Sequence, residues 1–377
     1  MKAESPIAAH LTWPQVHAFR LARHHLLVRA PKRHLTKVVG EIAGAQAQVT
    51  SAAELQVCVR VSGTTLDVRR ALWTKRTLAK TWLMRGTLHL VPAVDLPLYT
   101  AAMRTRWVKM SPAWLKYVGM TEAELMRLIA TIADILDGNP RTREEILELA
   151  AKGQREPVRA ALRSGWGGLL KPVARQGLLC FGPNRGQNVT FVSPRKWLGQ
   201  WRDVDPDAAL VEVVRRYLRA YGPASRADFA RWWGGSAAVA NAAWSGLSAE
   251  LAAVSVEGRR ADVLAADLSR LARAEVRGAV QLLPSFDPYL MGHAGRGHLF
   301  ELVHAPKVSR TAGWISSVVL VDGRVVGTWT HSASGGRLKV TVTPFRRLSE
   351  RVMSRVRARA SSLAEALGVR RGEVEIA

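Results

Sequence analysis

DAALVEVVRRYLRAYGPASRADFARWWGGSAAVANAAWSGLSAELAAVSVEGRRADVL, residues 207–264, is the stretch whose reading decides the fold. A helix over Asp207 to Tyr221 carries Leu210, Val211, Val214, Tyr217 and Leu218 at helical spacing. It stops at Gly222-Pro223, because proline cannot continue a helix. Ser225 caps a second helix bearing Phe229, Trp232 and Trp233, which ends at Gly234-Gly235, and Ser236 to Leu247 makes a third. Val254-Ser255-Val256 and Ala261 to Leu264 then read as two strands joined by the turn Glu257-Gly258-Arg259-Arg260. Helices followed by a hairpin wing make a winged helix-turn-helix. The tryptophans lie on helix faces, where packing is their usual role.

Working outward, the same order occurs twice more. Upstream, a helix near Glu122 to Leu136 precedes a capping box at Thr142 to Glu145, where hydroxyl and carboxylate each satisfy a backbone N–H. Leu178 to Phe181 and Val189 to Val192 flank a glycine-containing turn and form the second wing, with Arg185 expected at its tip against a phosphate. The first copy opens on the capping box Thr12-Trp13-Pro14-Gln15, and its first helix carries Val16, Phe19, Leu26 and Leu27. Helices near Leu35 to Ala45 and Ala52 to Val61 follow, with Trp82 to Val91 as a strand pair. Arg85 and His89, in or beside this wing, either probe a duplex or belong to a packed strand. Beyond residue 280, Val318 to Val321, Asp322-Gly323 and Val325 to Trp329 make a hairpin, Arg337 to Thr343 alternates as a strand, and a basic helix closes the chain from Leu348 to Leu367. The expected class is α+β, divided into 1–110, 111–204, 205–279 and a β-rich region 280–377 with its closing helix.

Charge narrows the partner. The 377 residues hold 55 Lys and Arg against 30 Asp and Glu, a formal +25, which points to a polyanion. No apolar run is long enough to span a bilayer and the N-terminus has no signal-peptide core, so nucleic acid is preferred over lipid and the expected location is the cytoplasm, on the nucleoid. No acidic residue occurs between Ser5 and Gly40, so Arg20 and Lys37 in that segment are expected to face a phosphate backbone. Cys58 and Cys180 lie far apart, outside any zinc or disulfide spacing, and read as buried thiols. His24 and His25 are adjacent and read as solvated. No metal, cofactor or nucleotide is expected: Gly-Lys-Thr phosphate loops, His-Glu-x-x-His and Gly-x-Ser-x-Gly motifs are all missing.

One local pattern stands out. Gly44-Ala45-Gln46-Ala47-Gln48-Val49 places two amides one small residue apart, immediately before the Thr50-Ser51 cap, where they either converge on a water or bond nearby backbone as turn residues. Gly44 to Gln48, then Thr81-Trp82-Leu83-Met84-Arg85-Gly86-Thr87-Leu88-His89-Leu90-Val91, then Leu282-Leu283-Pro284-Ser285-Phe286-Asp287-Pro288-Tyr289-Leu290, taken in that order, resemble the AlkZ-like crosslink-repair DNA glycosylases. The resemblance implies a C-shaped, monofunctional, monomeric enzyme of three tandem winged helices acting on double-stranded DNA with alkylated guanine, and in some members unhooking interstrand crosslinks. It also implies that Gln46 and Gln48, matching the family's Gln-x-Gln motif, are catalytic; a second branch carries Gln-x-Asp, from which Gln48 departs.

N7-alkylation leaves guanine cationic and a ready leaving group, so a neutral amide that orients water is chemically sufficient. Asp287, His293 and Arg296, in the polar stretch 286–296, are expected at DNA or at the active site. The competing reading is a non-catalytic winged-helix regulator or nucleoid protein. Either way, DNA affinity should collapse by roughly a thousandfold or more between 50 and 200 mM salt. A titration of duplex binding against salt checks this, and a flat profile would remove the polyanion reading.

Overall fold

The computed structural model describes residues 6–105 and 112–377; the module boundary expected at 110/111 lies outside the described residues. The chain forms two compact units, one from the segment ending at Arg69 together with Val214 onward, the other from Arg70 to Val213. This division differs from the chain-order modules because compactness follows strand pairing between distant segments, which no local pattern announces.

The helix Pro206–Tyr221, of which the first unit takes the part from Val214 onward, is followed there by the helices Arg226–Trp233 and Ala237–Ser245 and the antiparallel strands Leu251–Val256 and Arg259–Leu264. Ser225 and Asp228 form a reciprocal capping box, Gly234 ends the second helix at φ 75°, and the hairpin turns on Glu257 and Gly258 at φ 47° and 84°. Two successive left-handed residues are what a tight hairpin requires. Trp232, Trp233 and Trp244 are buried, and the Trp244 indole N–H donates to Asp262 at 2.8 Å. The strand Ile7–Leu11, absent from the sequence reading, runs parallel to Leu251–Val256. Leu11, Val16, Phe19, Val254, Val256 and Val263 share its core.

The first helix, Trp13–Arg23, keeps its Thr12/Gln15 capping box but ends sooner than expected. His25, at φ 53°, turns the chain, so Leu26 and Leu27 lie beyond the helix. Likewise Leu35–Glu41 stops short of Ala45 because Ala43 and Gly44 adopt φ 56° and 94°. The next helix is Thr50–Cys58, with Val49 and not a hydroxyl residue at its cap position.

The rest of this unit is a five-stranded sheet in the order Val280–Leu283, Val318–Val321, Arg324–Ser334, Arg337–Pro344, Arg370–Ile376. The last strand pairs parallel to its neighbour and was not anticipated, since alternating charges mask it. The helix Glu350–Leu367 lays Met353, Val356, Ala360 and Leu363 over Val280, Leu282, Val319 and Trp329. Arg359, on the basic side of this helix, donates to the Val280 carbonyl at 2.9 Å.

In the second unit, helices Glu122–Ile135 and Arg143–Ala150 each carry a capping box. The hairpin Cys180–Arg185/Asn188–Val192 gains Arg141–Thr142 as a third strand. A second hairpin, Leu78–Trp82/Leu88–Pro92, brings Trp82 onto Phe181 and Phe191, with ring centroids 4.8 and 6.1 Å apart. Cys58 and Cys180 are both buried free thiols. Among the described residues no helix is long and apolar enough to cross a membrane.

Candidate active site

Gln46 lies on the two-residue strand Ala45–Gln46, aimed by the turn that ends Leu35–Glu41. The Gly44 N–H donates to the Val39 carbonyl at 2.9 Å and the Ala43 N–H to Gly40 at 3.0 Å, closing the helix with left-handed residues. A left-handed alanine is costly, so the exit direction of this strand is set at the expense of local strain. Gln46 is 7% exposed, Ala47 is buried and Gln48 is exposed. Gln46 Oε1 is buried with no hydrogen-bond partner among the described residues. An orphaned acceptor of this kind costs about 1–3 kcal/mol, and the Oε1 of the neighbouring Gln56 is another.

What fixes the backbone beside it was not visible in the sequence. Gln56, fully buried on Thr50–Cys58, donates through Nε2 to the Gln46 carbonyl at 3.1 Å and to the Ser285 carbonyl at 3.0 Å. One helical turn on, Arg60 donates to the Gln56 carbonyl at 2.7 Å and forms a two-pronged ion pair with Asp287 at 2.6 and 2.8 Å. Both partners are completely buried. Asp287 also accepts the Tyr289 N–H at 3.0 Å, and Phe286 takes φ 58° to present it. The earliest of the three resemblance motifs is therefore bolted to the last through Gln56. The signal that could have revealed this is Gln56 and Arg60 at i, i+4 within the apolar run Leu55-Gln56-Val57-Cys58-Val59-Arg60-Val61, where buried polar groups must find partners.

Several expected DNA contacts occupy other places. Asp287 is internal, so it holds Arg60 and not a substrate. Arg20 is likewise internal: its guanidinium donates to the Pro223 carbonyl at 2.8 Å and to His293 and His298 Nε2 at 2.7 and 3.2 Å. Burial pulls its pKa down to about 10. His293 is buried as Arg20's acceptor, and Arg296, half-buried, bonds Ser309 Oγ. His24, expected in solvent, is buried and donates to the Ala220 carbonyl at 3.0 Å with its other nitrogen 3.5 Å from Arg60. His25 meets Glu41 at 2.6 Å.

Lys37 is exposed and lies 3.7 Å from Glu41. Arg85 sits half-exposed at its hairpin tip at φ 57°, whereas His89 is buried behind it and donates to the Thr87 carbonyl at 2.9 Å. Arg185 is exposed on the second hairpin and bonds Glu145 at 2.6 Å and the Pro140 carbonyl at 2.7 Å.

Comparison with known proteins bears on the whole chain. The sequence profile of the family described as "DNA glycosylase AlkZ-like" matches residues 39–367. An "Interstrand DNA cross-link repair glycosylase" of Streptomyces sahachiroi is 38% identical over 375 residues, covering 97% of this chain and 99% of that protein. The solved structure of Streptomyces sahachiroi DNA glycosylase AlkZ superposes with a TM-score of 0.88 at 37% identity, over 98% of this chain and 100% of the other.

Two stability predictions follow from the burial. Asp287→Ala leaves the Arg60 charge alone in the interior and should cost about 3–5 kcal/mol in urea unfolding, whereas a change below about 1 kcal/mol would show the pair is not dry. Burial, reinforced by Arg20, holds His17 down at about 3, and burial also lowers His24, His293 and His298. The unfolded chain therefore takes up protons first as pH falls below about 6.5, so stability is full above that value and drains between about 6.5 and 3. Each such histidine contributes a slope of up to about 1.4 kcal/mol per pH unit. Unfolding followed from pH 7.5 to 4.5 should show the loss, and His17→Leu, which removes an imidazole whose Nε2 has no partner, should reduce it.

Proposed function

The chain belongs to the AlkZ-like DNA glycosylase family, and on that premise we propose that it hydrolyses the N-glycosidic bond of N7-alkylguanine in double-stranded DNA, interstrand crosslinks included. The enzyme is a DNA glycosylase with a mixed α+β fold. The proposal adds the lesion class, the monofunctional hydrolysis, a monomer working on nucleoid DNA, and three winged-helix motifs as the DNA-holding framework. In favour of the last are the three helix-then-hairpin successions ending in Leu78–Pro92, Cys180–Val192 and Leu251–Leu264.

The observation that carries the chemistry is the orphaned Gln46 Oε1. An acceptor that no group among the described residues satisfies can still take a hydrogen bond from water or face a developing cation. N7-alkylation has already placed positive charge on the base, so the bond to C1′ breaks toward an oxocarbenium-like sugar without prior protonation by the protein. Gln46 Oε1 accepts a hydrogen bond from the attacking water and turns its lone pair toward C1′, while the exposed Gln48 amide holds the water from its other side; as the C1′–O bond forms and the base departs neutral, the water's proton passes to solvent. As the sugar becomes cationic, the same carbonyl dipole stabilises it at no reorganisation cost, since Gln56 already pins the Gln46 backbone. An amide is no general base near neutral pH; its contribution is orientation and a fixed dipole, which suits a labile bond.

Purified protein should convert N7-methylguanine DNA into alkali-sensitive abasic sites without added metal or nucleotide. Gln46→Ala and Gln48→Ala should each slow single-turnover base release by about a hundredfold while leaving duplex affinity within a few-fold. Because both amides hold one water, the double variant should be little slower than the worse single one. Wild-type rates in the double variant would remove the catalytic assignment.

A further inference from the structure

We propose that a hollow on the far side of Ser285 is a binding site for one unstacked nucleotide of the substrate strand, with a phosphate held by Lys307 and Arg310 and a base set on Trp314. The hollow measures about 440 Å³, and its walls include Ser285, Lys307, Arg310, Trp314, Thr328 and Thr330. That volume lies within the range of roughly 300–1,000 Å³ that small-ligand sites occupy.

Its chemistry points to a nucleic acid. None of the lining residues is acidic, and neither Lys307 nor Arg310 has a carboxylate partner among the described residues. This sets them apart from Arg23, Lys32, Arg69, Arg185 and Arg215, each of which is paired with a carboxylate. The hydroxyls of Ser317, Thr328 and Thr330 likewise have no hydrogen-bond partner among the described residues, so the wall offers neutral donors beside two cations without a carboxylate, of which Lys307 lies over the Phe345 ring at 5.8 Å. Trp314 remains 42% exposed, although Phe286 supports its ring edge-on at 4.9 Å. Cations beside an open aromatic face, with hydroxyls between, are the elements that hold single-stranded nucleic acid by phosphate contact and base stacking.

Its location makes the site relevant to catalysis, and in this respect the inference rests on the proposed role of Gln46. Three consecutive residues tie the hollow to the catalytic strand. Ser285 lines it and gives its carbonyl to Gln56, which holds Gln46; Phe286 supports Trp314; Asp287 locks Arg60. A nucleotide seated here would place its strand at a fixed distance from Gln46, so recognition would favour DNA that is already locally unstacked, as around a distorting lesion.

The test uses the full-length protein and an unmodified single-stranded thymidine hexanucleotide, with binding read by fluorescence anisotropy. Trp314→Leu and the double variant Lys307→Ala/Arg310→Ala should each weaken binding about tenfold. The slope of log affinity against log salt should fall by about 0.7 in the charge variant, for the one phosphate the pair holds, and stay unchanged in the tryptophan variant. Arg324→Ala, an exposed arginine outside the hollow, is the charge control, and thermal melting confirms that each protein is folded. On lesion-bearing duplex the hollow variants should raise KM more than they lower kcat. Weakening no greater than that of Arg324→Ala, or equal salt slopes in the two hollow variants, would overturn the proposal. Gln46→Ala should bind the hexanucleotide like wild type; if base release fails to depend on Gln46 while the hollow variants behave as stated, the catalytic assignment falls and the nucleotide site stands.

Discussion

The arrangement hangs on a pair of charges with no access to water. Arg60 and Asp287 meet through two hydrogen bonds at 2.6 and 2.8 Å, both completely buried, and neither could remain there without the other. Burying a lone charge is far more costly than the pair returns, so the contact acts less as a source of stability than as a constraint of register. It forces the end of Thr50–Cys58 against the turn at 285–287, and with it the Gln56 amide that reaches both the Gln46 and Ser285 carbonyls. A two-residue strand has almost no stability of its own, and the Gln56 amide bonded to the Gln46 carbonyl is part of what holds it.

Rigidity matters because the proposed chemistry has so little force behind it. A neutral amide stabilises a cation through a dipole alone, and a dipole is effective only if its direction is set before the bond breaks. The left-handed Ala43 and Gly44, the Gln56 bridge and the ion pair behind it all serve to orient one short segment. The unpartnered Gln46 Oε1 is the complementary half of the design: backbone fully held, side-chain acceptor left open.

A formal charge of +25 suggests a uniformly basic surface, yet much of the cationic charge in the N-terminal segment already has a partner within the chain. Arg20 is ringed by carbonyls and neutral imidazoles, Arg23 pairs with Asp267, Arg29 donates to the Val61 carbonyl and Lys32 pairs with Asp67. The absence of acids between Ser5 and Gly40 reflects partners supplied from far along the chain. The cations that matter for a polyanion are those without such partners, and sequence counts cannot separate the two kinds.

What the amino-acid sequence determined by itself is everything carried by near neighbours. Capping boxes at Thr12, Thr142 and Ser225, hairpins at Glu257-Gly258 and Asp322-Gly323, the amphipathic closing helix and the Gln46-Ala47-Gln48 motif depend on side chains within a few residues of one another. Tertiary structure alone decided the rest. The edge strands Ile7–Leu11 and Arg370–Ile376 exist only because another strand offers its hydrogen bonds, and the division into two compact units, cut at Arg69/Arg70 and Val213/Val214, follows no local pattern. It also decided that Asp287, Arg20 and His293 face inward. Whether a charged side chain meets solvent or a partner depends on what arrives opposite it, and the partner of Asp287 lies 227 residues away.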